Sequence, residues 1–264
     1  MLGVWDTGLN ERAEARPETR ETEDGSNRIR QMFGFEPDAQ QRRVLESNAM
    51  RGTLNCTRQW GKSTTMAAKA VQQACEKVDS LTLVVSPSTR QSGEFLRKAG
   101  GVARRLEIQT KGEGDNQISM AFPNGSRIVG LPGTEATVRG FSAVSLLLVD
   151  EAARVSDDMY RAIRPMLAVS DGRLWLMSTP HGQMGFFHET WMHGGAEWER
   201  VRVTAHECPR IGAEFLREER LAMGDRWFRQ EYLCEFVDLV GGVFDSGLVA
   251  GCFCDDVAEL VVGE

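Results

Sequence analysis

Apolar and polar positions along the 264-residue chain fall into segments of two alternating periods. Gly52–Cys56 reads as a short buried strand. Lys62–Val78 carries Met66, Ala67, Ala70, Val71 and Ala74 at helical spacing, which predicts a helix with one apolar side. Leu81–Val85 is a β-branched apolar run, the pattern of a strand covered on both faces. Ser92–Val102 reads as a second helix. Ile118–Phe122 and Arg127–Val129 flank Pro123-Asn124-Gly125, and an Asn-Gly pair between such runs predicts a hairpin. Ser145–Val149 and Leu174–Met177 read as further buried strands. Between them Ser156–Val169 is helical, with Ser156 placed to cap it. Trp198–Val203 alternates like a strand near a sheet edge. Ala213–Met223 and Asp225–Cys234 then read as helices.

Strands alternating with helices predict an α/β fold, with a mainly parallel sheet sandwiched by helices. Ligands of such sheets gather at the carboxyl ends of the strands. The expected organisation is a flexible arm over residues 1–30, a core over 31–204, a small helical subdomain over 205–245 and a tail over 246–264. The arm is rich in Glu, Arg, Thr and Gly, and Trp5 is its one large apolar exception.

Composition narrows the class. A hydrophobic content of 41% and a charged content of 26% are those of an ordinary globular domain. No apolar run approaches the ~20 residues that span a bilayer, and the N-terminus lacks the layout of a signal peptide. Six cysteines without a CxxC pair point to reduced thiols rather than a zinc site. The four histidines lack metal-ligand spacing. A net charge of −7 argues against a stand-alone nucleic-acid-binding module. Any DNA contact would need a local patch or an assembly, and a patch of Lys98, Arg104 and Arg105 competes with an ordinary solvated helix face.

Two motifs follow strands. Cys56-Thr57-Arg58-Gln59-Trp60-Gly61-Lys62-Ser63-Thr64 contains the Gly-Lys-Ser core of a Walker A phosphate loop. Gly61 allows close backbone approach, Lys62 can bridge β- and γ-phosphates, and Ser63 can ligate Mg²⁺. The first glycine of the pattern is Cys56 here, so an incidental Gly-Lys-Ser at a helix start competes with the phosphate-loop reading. Leu146–Val149 followed by Asp150-Glu151 has the Walker B arrangement, in which Asp150 holds Mg²⁺ and Glu151 activates the attacking water. A glutamate directly after the magnesium-binding aspartate marks the additional-strand (RecA-like) class of phosphate-loop NTPases.

The ordered set of segments over residues 33–245 resembles the ATPase region of viral terminase large subunits. Pro37 and Gln41 match that family's adenine-binding motif. Arg58-Gln-x-Gly61-Lys62-Ser63 matches its Walker A variant. Val138-Arg139-Gly140 precedes Walker B, Ser178-Thr179-Pro180 resembles its coupling motif, and Phe228–Phe236 resembles the close of its ATPase region. The resemblance implies an ATP- and Mg²⁺-dependent motor that pumps double-stranded DNA into a procapsid, in the cytoplasm of a phage-infected bacterium. Its expected partners are a portal protein, a small terminase subunit and further copies in a pentameric ring, with no membrane. The implied site comprises Glu151, Lys62, Arg58, Arg139 and Thr179 for catalysis. Gln41, Pro37, Thr57, Gln59, Gly61, Lys62, Ser63 and Thr64 bind nucleotide, and Ser63 and Asp150 hold the metal. Arg58 would reach the γ-phosphate within its own subunit, and Arg139 would act as an arginine finger on a neighbour. The helical subdomain would act as a lid. The family's nuclease domain is expected to be absent, since about twenty residues follow Gly241.

Two alternatives remain open at this level. One is a superfamily 2 helicase-like fragment, for which Asp150-Glu-Ala-Ala153 resembles a DEAD-like box. The other is a non-catalytic nucleotide-binding assembly module, motivated by the missing first glycine.

Overall fold

In the computed structural model, residues 25, 27–112, 118–132, 140–238 and 251–252 are described. The elements are helix α1 (27–33), α2 (Ala39–Glu46), β1 (Arg51–Cys56), α3 (Lys62–Glu76), β2 (Leu81–Ser86), α4 (Thr89–Arg105), β3 (Ser119–Ala121), β4 (Arg127–Pro132), β5 (Leu146–Asp150), α5 (Asp157–Ile163), β6 (Arg173–Ser178), α6 (Gly185–His193), β7 (Trp198–Val203), α7 (Ala213–Met223) and α8 (Asp225–Glu231). The seven strands form one sheet in the order β3-β4-β2-β5-β6-β1-β7. Every pairing is parallel except the β3–β4 hairpin. β6 lies between β1 and β5, so the strand that leads into the Gly-Lys-Ser loop is separated from the strand that ends in Asp150 by one additional strand. That is the arrangement the Asp-Glu pair predicts.

The alternation of side chains across each strand builds two cores. Leu148, Trp175, Met177 and Leu54 face α2, α3 and α4. Leu147, Val149, Leu174 and Leu176 face α5 and α6. Successive residues of a strand point to opposite faces, so a continuous apolar run feeds both cores at once. In α3 more than one face is buried, because α2 and α4 pack beside it on the sheet. The small residues Ala67, Ala68 and Ala70 fit that confined position. Lys69 is one of the buried polar residues of this helix. Its ammonium donates to the carbonyls of Val44 (2.9 Å), Leu45 (3.3 Å) and Ser47 (2.7 Å), which satisfies the end of α2.

Several boundaries differ from the sequence expectation. The last residues assigned to the arm are helical, because Ile29, Met32 and Phe33 recur on one face of α1 and pack against the core. Residues 1–24 lie outside the described residues. α4 starts at Thr89, where Ser88 accepts a hydrogen bond from the backbone N–H of Gln91 as N-cap. The expected helix Ser156–Val169 is α5 followed by a 3₁₀ turn, Arg164–Leu167. Pro165 explains the break, since it has no N–H to donate and its ring crowds the preceding turn. α8 stops at Glu231 rather than Cys234. The carbonyls beyond it bond elsewhere, that of Tyr232 to the Ala205 N–H (2.7 Å) and that of Cys234 to the Asn55 amide (2.9 Å).

Gly52 of β1 pairs in register with Trp175 of β6, and a Cβ at Gly52 would lie 2.4 Å from the indole ring. Trp175 is fully buried. Gly52→Ala should therefore destabilise the fold by about 2 kcal/mol through overpacking. Urea unfolding reads this, and a change under about 0.5 kcal/mol would mean that the indole is free to shift.

Candidate active site

The Gly-Lys-Ser loop leaves the end of β1 and enters α3. Cys56 stands where the usual pattern has glycine, yet it is the last residue of β1, with its side chain fully buried in the core. The left-handed backbone positions of the loop are Gln59 (φ 66°) and Gly61 (φ 106°). The turn therefore makes no conformational demand on residue 56, and the missing glycine does not distort it. Trp60 anchors the loop from below. Its indole N–H donates to Asp38 (2.9 Å), and its carbonyl accepts from the Gln41 amide (3.0 Å) and from the Arg210 guanidinium. Asp38 and Gln41 also form a reciprocal capping box at the start of α2. Gln41 thus reaches the site through its contact with the loop, and Phe35 stands beside it at the wall of the cleft. Pro37 is buried next to the cap and is not among the cleft-lining residues.

Lys62 is buried, and its ammonium donates to the carbonyls of Cys56 (2.8 Å) and Thr57 (3.2 Å) and to the Thr179 hydroxyl (3.1 Å). The Thr179 hydroxyl in turn donates to the Cys56 carbonyl (3.3 Å). The end of β6 and the end of β1 therefore converge on one cation. Ser63 follows Lys62 and hydrogen-bonds to Asp150 at the end of β5. Burial, and then the neighbouring Glu151, push the Asp150 pKa up to about 6, against the opposing pull of Lys62, Lys98 and Ser63. Glu151 has left-handed backbone geometry (φ 51°), uncommon for a residue that is not glycine. This turns the chain sharply out of the strand and leaves the side chain at the cleft.

A cleft of about 770 Å³ lies over these groups, lined by Gln59, Gly61, Lys62, Ser63, Thr64 and Glu151 among others. Its volume is in the range of small-molecule sites. Thr57 lies beneath it, with its hydroxyl donating to the backbone carbonyl of Glu231 (3.0 Å). Arg58 lines the cleft and is ion-paired with the Glu231 carboxylate (2.6 Å). Arg139 lies outside the described residues. Sequence reasoning missed Arg154, Arg210 and Glu231, and it named Lys98 only as a member of a surface patch. Arg154 lines the cleft and approaches both Glu151 (3.4 Å) and Glu231 (3.7 Å). Lys98 faces the cleft rather than joining a patch with Arg105, which donates to the Met32 carbonyl (3.2 Å) and ties α4 to α1. The segment Phe228–Phe236 held a signal for Glu231, but nothing in the local pattern says that its carboxylate meets two arginines more than 70 residues away.

A Gly-Lys-Ser loop on β1, a paired Asp-Glu at the end of β5 and an intervening β6 define a phosphate-loop nucleotide-binding domain of the additional-strand class. The family model "Terminase large subunit, T4likevirus-type, N-terminal" matches residues 54–248, well over half of the chain. The chain belongs to that terminase large subunit family, which removes the helicase alternative. Its sequence is similar to the large terminase subunit of Thermus virus P23-45, 27% identical over 262 residues, covering 84% of this chain and 53% of that protein. It is also similar to that of Escherichia phage T5, 26% identical over 171 residues, covering 62% and 39%. The chain thus spans about half or less of the length of these relatives. Its fold is similar to the large terminase ATPase domain of Thermus phage P74-26, with a TM-score of 0.70 at 23% identity, covering 80% of this chain and 98% of that one. It also resembles the large terminase of the thermophilic bacteriophage D6E in complex with ADP, with a TM-score of 0.64 at 12% identity, covering 75% and 53%.

The raised pKa of Asp150 has a sign that can be checked. A carboxyl with a higher pKa in the fold than in the unfolded chain costs stability wherever it is ionised in the fold. Asp150→Asn should therefore stabilise the protein, in metal-free buffer, by about 2 kcal/mol above pH 6. The gain should shrink as pH falls from 6 towards 4. Thermal melts across pH 4–8 follow this, and a variant less stable than wild type at pH 8 contradicts it.

Proposed function

We propose that this chain is the ATP-hydrolysing part of a motor that drives double-stranded viral DNA into a procapsid. The observation that carries the reading is the buried ammonium of Lys62. Its three hydrogen-bond partners are neutral, and it lies at a cleft that Ser63 and Glu151 also line, with Asp150 hydrogen-bonded to Ser63. A cation whose hydrogen bonds all go to dipoles keeps charge to offer an anion, and the N-terminus of α3 adds its own positive end. The triphosphate would run along the loop over Gln59–Thr64, with the base towards Gln41 and Phe35.

A divalent cation suits Ser63 and Asp150. A buried carboxylate next to a second carboxylate is costly without a positive partner, and the Ser63 hydroxyl already meets it. Bound there, Mg²⁺ would neutralise charge on the β- and γ-phosphates. Glu151 accepts the proton of the attacking water while the water oxygen bonds to the γ-phosphorus and the bond to the bridging oxygen breaks, releasing ADP. Thr179 touches both Lys62 and the end of β1, which suits it to report the phosphate state towards α7 and α8 as a lid over residues 205–245. Arg139 supplies the finger from a neighbouring copy in a ring. Double-stranded DNA, a portal protein and a small terminase subunit complete the assembly in the cytoplasm of the bacterial host.

The non-catalytic alternative loses its motive, because Cys56 leaves the loop geometry intact. The expected result is that Glu151→Ala lowers ATP turnover by about 10²-fold or more while nucleotide affinity stays within a few-fold. Equal background turnover in both proteins, with affinity retained, would leave only a binding module. Rescue of Arg139→Ala protein by mixing with Glu151→Ala protein, at concentrations where a ring forms, checks the action of the finger between copies.

A further inference from the structure

Asp38, Gln41 and Trp60 form a closed ring of hydrogen bonds at the base of the phosphate loop. The Gln41 backbone N–H donates to Asp38 Oδ1 (2.8 Å), and the Asp38 backbone N–H donates to Gln41 Oε1 (3.1 Å). Gln41 Nε2 donates to the Trp60 carbonyl (3.0 Å), and the Trp60 indole N–H donates to Asp38 Oδ2 (2.9 Å). These partners fix which end of the Gln41 amide is which. A flipped amide would set N–H against N–H at Asp38 and oxygen against oxygen at Trp60. Gln41 and Trp60 are both fully buried. Trp60 stands between the two left-handed positions of the loop, Gln59 and Gly61, so its carbonyl is where α2 grips the turn.

We propose that Gln41 is a positioning residue for the phosphate loop and does not read the base, so that the site accepts nucleoside triphosphates with little discrimination between adenine and guanine. The proposal rests on the hydrolysis reading of the same cleft. A glutamine reads adenine by accepting from N6 with its oxygen and donating to N7 with its nitrogen. Here the oxygen faces the Asp38 N–H and the nitrogen faces the Trp60 carbonyl. Gln41 borders the cleft, yet none of its surface is open to solvent. The motif position is kept while both ends of its amide are engaged elsewhere. Guanine presents acceptors at O6 and N7, and strong rejection of it needs a buried polar edge that guanine would leave unpaired. The groups left for a base at this wall are a ring and a guanidinium. Phe35 is 43% exposed and packs against the buried Phe33, with 5.4 Å between ring centroids. Arg210 lines the same cleft and donates to the Trp60 carbonyl. Both can stack on the face of any base, and stacking is tolerant of base identity.

Titration of the full chain with ATPγS, GTPγS and tripolyphosphate, with Mg²⁺ present, separates the two roles. In wild type the ATPγS and GTPγS affinities should agree within about fivefold. Gln41→Met keeps the length of the side chain and loses both of its hydrogen bonds. It should weaken ATPγS and GTPγS about tenfold each, and tripolyphosphate by the same factor, because the fault lies in the loop. A base reader would instead lose ATPγS affinity alone and leave tripolyphosphate, which has no base, untouched. Trp60→Phe removes the indole N–H from the same ring without approaching the base, and it should lower all three affinities together. Phe35→Ala should weaken ATPγS and GTPγS about tenfold each and leave tripolyphosphate unchanged. A wild-type preference above about fivefold for either purine overturns the proposal, and that measurement needs no variant to fold. So does a Gln41→Met protein that loses ATPγS affinity while tripolyphosphate affinity holds. Wild type that binds both analogues alike but turns over neither ATP nor GTP would bring down the hydrolysis reading and leave the role of Gln41 standing.

Discussion

The ammonium of Lys62 is the point on which the site depends. It is buried where the carboxyl ends of β1 and β6 meet, and each contributes an oxygen to it. Removing a cation from water is expensive unless its donors are used, and all of its hydrogen-bond partners here are uncharged. The geometry requires β6 to be the immediate neighbour of β1, because Thr179 must stand beside the Cys56 carbonyl. The extra strand of the sheet is thus a chemical requirement as well as a topological one. It sets a hydroxyl next to the loop and places the acids of β5 one strand further away, leaving room for phosphates between the positive and the negative groups.

The same logic explains why a distant segment completes the site. Two arginines and two acids at the cleft balance one another, and one of the acids comes from α8, far along the chain from the loop. Surface ion pairs contribute little individually. Glu231 differs because its side chain is nearly buried, although its partner Arg58 stays largely exposed. The arrangement favours specific placement of arginines at the cleft over overall stability.

Much of the architecture was legible because its signals are local. Apolar runs such as Leu146–Val149 and Leu174–Met177 have no other stable place than a doubly covered sheet, and Asn124-Gly125 turns the hairpin, with Gly125 at φ 82°. Lys62, Ser63, Asp150 and Glu151 were legible because phosphate and metal chemistry demands those residue types directly after strands. What escaped depended on closure of the chain. Trp60 reads as a loop residue, and its hydrogen bond to Asp38 exists only because α2 passes beneath the loop. Lys98 reads as one of several basic residues on a solvated helix, and only the rotation of α4 turns it to the cleft. Arg154 and Glu231 carry no motif of their own. The helix ends were misjudged where a competing hydrogen-bond partner or a proline lay nearby, as at Pro165 and at the carbonyl of Cys234.

The cysteine at the start of the phosphate loop has a consequence for the chemical resilience of the protein. Thiols react with oxidants and alkylating agents through the thiolate, and burial pushes the Cys56 pKa well up from its usual range. Its sulfur is closed off in the core next to the Val201 carbonyl, while the carbonyl of the same residue meets Lys62. Cys56 itself is thereby shielded from oxidants, and the residue that departs most from the expected loop pattern is also one of the least reactive thiols among the described residues.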